Sequence, residues 1–166
     1  MSDAYIQIDG VKGQSVDKDH KDWIEIISYT HNLSQPINNP TSGSTGRRAQ
    51  GRAEWEDIKI TKQQDKSSPF LAHLCASGNY IKKAELHLMA AGAAGANTRN
   101  KYMKITIEDV YVAKFDSRLE SGSNRPIEDV SLSFGKIKWE FTPDAASKTE
   151  AAIIKGWDRD TNQDYS

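Results

Sequence analysis

The chain is poor in the features that define several protein classes. Its 166 residues include one cysteine, Cys75, so an internal disulfide is excluded. Lysine and arginine number 22 against 23 aspartate and glutamate, and this near balance gives no global field to attract nucleic acid or an anionic membrane. No apolar run approaches the length of a transmembrane helix. What remains is an ordinary soluble composition and one domain, residues 1–166, with a real core.

The amino-terminal segment, MSDAYIQIDG, is polar and acidic, unlike a secretory signal. Together with the single cysteine, this predicts synthesis in a reducing compartment, the cytoplasm. If the protein leaves the cell, we expect it to do so without a general export signal.

Most of the chain alternates apolar and polar residues with the period of a β-strand. In residues 4–8, for example, Ala4, Ile6 and Ile8 share one face. Comparable segments are residues 23–31, 53–61, 80–89, 102–113 and 127–141. The pattern predicts a mainly β protein, a barrel or sandwich, with one short helix.

Two of these segments change their apolar phase partway. The phase shifts after Ile107 in residues 102–113, and at Gly135 in residues 127–141. A period of two tolerates a shift only if a residue is inserted or the strand changes face. We therefore predict bulges near Glu108–Asp109 and Gly135–Lys136, which would curl the sheet toward a barrel.

The helix is predicted over residues 67–77. Ser68 suits the cap, Pro69 suits the first helical position and Gly78 suits the stop. Four apolar side chains fall on one arc of about 140°. We predict that this arc docks the helix on the barrel through Phe70, Leu71, Leu74 and Cys75.

No motif for catalysis or metal binding is complete. His73 lies about 160° around the helix from Cys75, so the two form no local pair. DRDTNQD, residues 158–164, begins like a calcium loop but has Gln163 where glycine is required. GSTGRR, residues 43–48, lacks the Lys-Ser/Thr of a phosphate loop. We expect no catalytic residue, no metal and no cofactor.

Residues 34–51 are rich in Gly, Ser, Asn and Pro and cannot bury enough apolar surface to fold alone. A loop of this length in a compact domain is usually functional or mobile. Arg47, Arg48 and Arg52 cluster in or next to it, with no aromatic residue among them, which argues against nucleic-acid binding.

Several longer strings resemble one family nearly from end to end. They are YIQIDGVKGQSVDKDHKDWIEI, SYTHNLSQP, ITKQQDKSSPFLAHLCASG, KYMKITIEDVYVAKF, VSLSFGKIKWEFTP and KGWDRDTN. They are similar to the Hcp family, the haemolysin-coregulated tube proteins of bacterial type VI secretion. The helix segment, with Asp-Lys-Ser-Ser-Pro and Cys-x-Ser-Gly, is the most specific. The three arginines depart from the pattern in a loop whose sequence varies within the family.

The resemblance implies an antiparallel β-barrel of two sheets with a short flanking helix and a long extended loop. It also implies a homohexameric ring that stacks into a hollow tube inside a contractile sheath. The tube is fired out of the cell with a spike at its tip, and its lumen binds and protects small effector proteins. The implied partners are therefore the chain itself, sheath and spike proteins and effectors, without nucleic acid or direct membrane insertion.

In such a protein the functional sites are surfaces. We predict that residues 38–52 stack one ring on the next and that the face of Ser28 and Thr30 lines the lumen. The stacking residues would include Asn38, Arg47, Arg48 and Arg52. The alternative is a β-barrel module for carbohydrate or nucleic acid with Trp23, Trp55 or Tyr29 as stacking platforms.

Overall fold

The computed structural model describes residues 3–38, 49–90, 100–143 and 151–165. Within these ranges the chain forms fourteen strands and one helix. They are β1 (Asp3–Ile8), β2 (Ile24–Ile26), β3 (Ser28–Thr30), β4 (Leu33–Ser34), β5 (Ile37–Asn38), β6 (Ala49–Gln50), β7 (Glu54–Trp55), β8 (Ile58–Gln63), α1 (Ser68–Ser77), β9 (Ile81–Ala90), β10 (Asn100–Arg118), β11 (Ile127–Ser133), β12 (Lys136–Phe141), β13 (Ile153–Asp158) and β14 (Gln163–Asp164). The predicted mainly β class with one short helix is confirmed.

Two antiparallel sheets share the long strand β10. The first has the order β2-β1-β9-β10-β12-β13-β14, and the second has the order β10-β11-β8-β3. Their inner faces enclose one hydrophobic core, because alternate residues of each strand point inward. Fully buried members from both sheets include Ile24, Ile60, Val110, Val130 and Ile137.

The sheets also meet where β2 passes into β3. Ile24 and Ile26 are buried, whereas Ser28 and Thr30 are exposed, so the strand changes environment at Ile27. The backbone amide of Ile27 donates to the carbonyl oxygen of Thr61 at 2.7 Å, although Ile27 belongs to neither strand. The barrel is therefore not closed by a continuous ladder.

The predicted bulges at the two phase shifts are wrong in detail. Glu108 pairs with Lys136 and Tyr111 with Ser133, and these pairs have the same register, so no residue is inserted between them. Instead Asp109 has a positive φ of 54°, and β10 changes partner from β12 to β11. Both phase shifts arise at this one bend, because β10 and the segment from β11 to β12 change the face that points inward at the same place. The register shifts on β10 lie elsewhere, between Lys101 and Met103 and between Val112 and Lys114.

Helix α1 begins and ends almost as predicted. Gly78 closes it in the left-handed conformation, with φ of 65°, and its amide donates to the carbonyl oxygen of Leu74 at 3.0 Å. The cap residue is Ser67 rather than Ser68, and the Ser67 side chain makes no capping hydrogen bond. Ser68 is the first helical residue, and its hydroxyl accepts from the amide of Asp65 at 3.0 Å.

The long loop predicted over residues 34–51 contains ordered backbone pairs. β4 pairs with β7, and β5 pairs with β6, so the described part forms a two-stranded ribbon that follows β3 and belongs to neither large sheet. Short β pairs satisfy the backbone groups of a segment that has little apolar surface to bury. Residues 39–48 of the loop lie outside the described residues.

Candidate functional site

Of the four predicted stacking residues, the structure describes two, and both lie on the ribbon. Asn38 is exposed at the end of β5, opposite Ala49. Arg52 is exposed at the ribbon base, where its guanidinium donates from Nη2 to the carbonyl oxygen of Arg159. Arg47 and Arg48 lie outside the described residues.

An aromatic cluster fixes the base of this ribbon. Trp55 stacks on Trp139 with ring centroids 5.9 Å apart, and Phe134 meets Trp55 edge-on at 5.9 Å. Trp139 donates from Nε1 to Nε2 of His31 at 3.1 Å. Burial lowers the pKa of His31, which keeps this ring neutral and able to accept that bond. The sequence shows these residues only as scattered aromatics on different strands.

The predicted lumen residues lie on a polar outer face of the second sheet. Ser28 and Thr30 are exposed and pair with Thr61 and Lys59 of β8. On the same sheet, Thr61 donates to Asp129 at 2.6 Å. Hydrogen bonds from Thr61 first, and then from Arg118, hold the pKa of Asp129 below its usual value. This sheet face is therefore polar and carries ionised side chains.

The helix docks through a different arc from the one predicted. Leu71 is fully buried, and Leu74 and Cys75 pack partly buried against the core. Phe70, however, is 53% exposed, so its predicted place in the docking face is wrong. The buried arc is rotated away from Phe70 because the helix also buries Ser68, which sequence reasoning treated only as a cap.

Ser68 belongs to a buried polar cluster that was not predicted. Lys62 and Glu128, with 0% and 1% of their side chains exposed, form an ion pair of 2.8 Å between Nζ and Oε2. Lys62 also reaches Asp65 at 3.0 Å, and Ser68 donates to Oε2 of Glu128 at 2.7 Å. The sequence signal was a charged residue at the inward position of two strands, since Lys62 follows Ile58 and Ile60, and Glu128 precedes Val130 and Leu132.

A second buried cluster joins the loop after β1 to β9. His20 is 3% exposed and lies 3.0 Å from Asp17 through Nδ1 and 3.0 Å from Nδ1 of His87 through Nε2. Trp23 packs against the His87 ring at 4.5 Å. Burial, and then the charge of Lys101, lower the pKa of His87 to about 4. No motif identified these residues, because they are far apart in the chain.

The geometry gives no support to the other chemical readings. His73 is exposed while Cys75 is partly buried, so the helix separates them as predicted. Among the described residues, no group of three or more His, Cys, Asp or Glu side chains is placed to hold a metal ion. The carboxylate of Asp158 instead accepts from the amides of Asp160 and Thr161, a local turn. The described helix is too short to cross a membrane.

The aromatic residues of the binding-module alternative are not free platforms. Trp55 stacks on Trp139 and also contacts the guanidinium of Arg159, and Trp23 packs against histidine rings. Tyr29 is partly buried against the core.

Comparison with known proteins assigns the fold to a family. A family described as "Type VI secretion system effector, Hcp" matches residues 5–141, a range that runs from β1 to the end of β12 and includes the helix. The chain belongs to the Hcp family. This is the family of effector and tube proteins of type VI secretion, so the predicted resemblance is confirmed.

Individual relatives cover nearly the whole chain. Protein hcp1 of Pseudomonas aeruginosa is 31% identical over 157 residues, 93% of each chain. The Major exported protein of the same organism is 26% identical and covers 82% of this chain and 87% of its own. The solved structure of a type six secretion system protein aligns with a TM-score of 0.87 at 27% identity, covering 99% of this chain and 100% of that one. Hcp1 from Salmonella typhimurium aligns with a TM-score of 0.76, also at 27% identity and with 99% of both chains covered.

Proposed function

We propose that this chain is one Hcp-like domain that forms the inner tube of a type VI secretion system. Hexameric rings of the chain stack into a hollow tube within sheath proteins and behind a spike. The tube is assembled in the cytoplasm and expelled, and its lumen carries small effector proteins. The match of the barrel to the Hcp family over residues 5–141 carries this proposal.

The packing of the barrel supports a conduit built from several copies. The space between the sheets is filled by side chains such as Ile60, Val130 and Leu132, all fully buried. A small barrel of this kind has no channel of its own. A hollow tube of this protein therefore requires a closed cyclic arrangement of subunits around an external hole.

Exposed apolar side chains on β12 and β13 support an interface between subunits. Phe141 and Ile153 are direct cross-strand partners and are 45% and 58% exposed. Ile154, on the opposite face of β13, is 46% exposed. Burying such side chains between neighbouring copies would stabilise a ring by removing apolar surface from water.

Two polar surfaces of the chain suit the lining of the lumen and the stacking of rings. The face of Ser28 and Thr30 has the hydroxyl and ionised groups suited to a wetted lumen that holds an effector reversibly. The ribbon that contains Asn38 and Arg52 belongs to neither large sheet and exposes both residues, so it is available for contact with a neighbouring ring. Weak polar contacts between this face and an effector can be replaced by contacts with water, which suits a cargo that must later be released.

Light scattering of the purified protein, with negative-stain images of the same fraction, tests the ring. We expect a particle of about six subunits with a central hole. The variant Ile153→Glu should shift the mass toward smaller species, because it places a charge in the proposed interface. Val16→Glu is the matched control, since Val16 is 92% exposed in the loop after β1 and should not affect assembly. A wild-type protein that stays monomeric at every concentration would contradict the proposed function.

A further inference from the structure

A polar cleft lies where the ribbon meets the carboxyl-terminal turn. It has a volume of about 350 Å³ and is lined mainly by Arg52, Trp55, Phe134, Arg159 and Asp160. The residues come from three separate parts of the chain, so only the folded protein brings the two arginines together. The amide of Arg159 fixes the turn by donating to the carbonyl oxygen of Gly135 at 2.9 Å.

Three contacts position the side chain of Arg159 in this cleft. Its guanidinium lies 5.0 Å from the ring centre of Phe134 and 5.9 Å from that of Trp55. Its Nη1 donates to the carbonyl oxygen of Phe134 at 2.6 Å. A planar guanidinium positioned by these contacts still has N–H groups to donate, which suits recognition of a carboxylate or phosphate.

Neither arginine of the cleft is neutralised within the described part of the chain. Arg52 and Arg159 donate to backbone carbonyl oxygens, and no described carboxylate lies within 4.0 Å of either guanidinium. Asp160 lines the same cleft but pairs with neither of them. Arg118, in contrast, contacts both Glu120 and Asp129. The cleft thus holds two cations and one anion.

We infer that this cleft receives a carboxylate side chain from a second copy of the chain, in the neighbouring ring. The inference rests on the proposed stacking of rings. The ribbon base places the cleft beside the segment proposed to reach that ring. The chain also offers the complementary charge, because Asp19, Glu25 and Asp57 are exposed and form no ion pair among the described residues.

Zero-length cross-linking tests the contact directly. In Arg159→Lys, a carbodiimide joins the introduced amine to any carboxylate that it touches, whereas arginine does not react. Rings of ¹⁵N-labelled variant and rings of unlabelled variant are formed separately, mixed in equal amounts so that they stack, and cross-linked, and the peptides are identified by mass spectrometry. Arg125→Lys is the control, because Arg125 is exposed and also has no ion-pair partner among the described residues.

We expect a mixed-isotope cross-link from position 159 to an aspartate or glutamate peptide, and none from position 125. In sedimentation experiments at low salt, Arg159→Gln and Arg52→Gln should weaken association between rings about tenfold, as expected for loss of one charged hydrogen bond. Arg125→Gln should leave this association unchanged.

Cross-links from position 159 that stay within one chain, or their absence, would overturn the inference. So would saturable binding of inorganic phosphate, measured by calorimetry and lost in Arg159→Gln, without any cross-link between copies. In both cases hexameric rings seen by light scattering would leave the proposed function intact. A monomeric wild-type protein would instead remove the proposed function itself.

Discussion

Replacing Lys62 by methionine should destabilise the protein more than any other single loss of charge in the barrel. Lys62 is completely buried and is the only cation within 4.0 Å of Glu128 among the described residues. Methionine keeps most of the side-chain volume, so the change leaves little cavity. It does leave the Glu128 carboxylate buried, with one hydrogen bond from Ser68 and with Oε1 already lacking a partner. An uncompensated buried charge costs about 3–5 kcal/mol.

The control and the double variant separate charge from packing. Lys59→Met changes the same residue type on the exposed face of β8 and should alter the free energy of unfolding by less than about 0.5 kcal/mol. Lys62→Met with Glu128→Leu removes both charges and should recover stability to within about 2 kcal/mol of the wild type. The expected coupling between the two sites is therefore on the order of 2 kcal/mol or more.

Urea unfolding followed by far-ultraviolet circular dichroism gives these free energies. All variants are compared at one protein concentration, because assembly stabilises the folded chain by mass action. A cost below about 1 kcal/mol for Lys62→Met would refute the reasoning, since a buried carboxylate cannot lose its only cation so cheaply.

Three further predictions concern the helix, the histidine pair and the last hairpin. In the unassembled chain, Leu71→Ala should lower the free energy of unfolding by about 2–5 kcal/mol and Phe70→Ala by less than about 1 kcal/mol. Equal costs in urea titrations would show that Phe70 packs on the barrel as Leu71 does. His87 is neutral in the folded chain, because its pKa is lowered from 6.5 to about 4. Its contribution to the free energy of unfolding is therefore complete above pH 6.5 and is lost as the pH falls toward 4. Relative to His87→Asn, the wild type should lose about 2.5 kcal/mol between pH 7.5 and pH 4.5 in unfolding experiments, and parallel pH profiles would argue against a buried neutral ring. Gly156→Ala should detach β14, because a Cβ at this position would overlap the carbonyl oxygen of Tyr165; carboxypeptidase should then trim the end faster than in the wild type, and an unchanged rate would count against this contact.

The alternation of apolar residues was sufficient to predict the strands but not how they bend. The phase shifts near Asp109 and Gly135 are visible in the sequence, and taken separately they predict two bulges. The structure explains both by one bend, in which β10 and its partner strands turn over together without changing register. The sequence of one strand cannot distinguish a bend from an inserted residue, since its apolar pattern does not specify which residue of the partner strand lies opposite.

The ribbon and the helix show the same limit. Composition indicated that residues 34–51 cannot form a core, but not that their backbone pairs through β4–β7 and β5–β6. The apolar arc of α1 included Phe70, which the fold leaves 53% exposed. The polar residue Ser68 occupies that place because Lys62 and Glu128, far apart in the chain but opposite each other on the paired strands β8 and β11, lie beneath it.

The sequence by itself determined the mainly β class, the position of the single helix and the family, because these depend on local periodicity and on long contiguous strings. Only the tertiary structure decided which polar groups are buried together, where the sheets bend and that Arg52 and Arg159 share one cleft. Such features join residues far apart in the chain, and the contact of Arg52 with Arg159 spans 107 positions. Their energies come from proximity and exclusion of water, and neither is encoded at any one position of the chain.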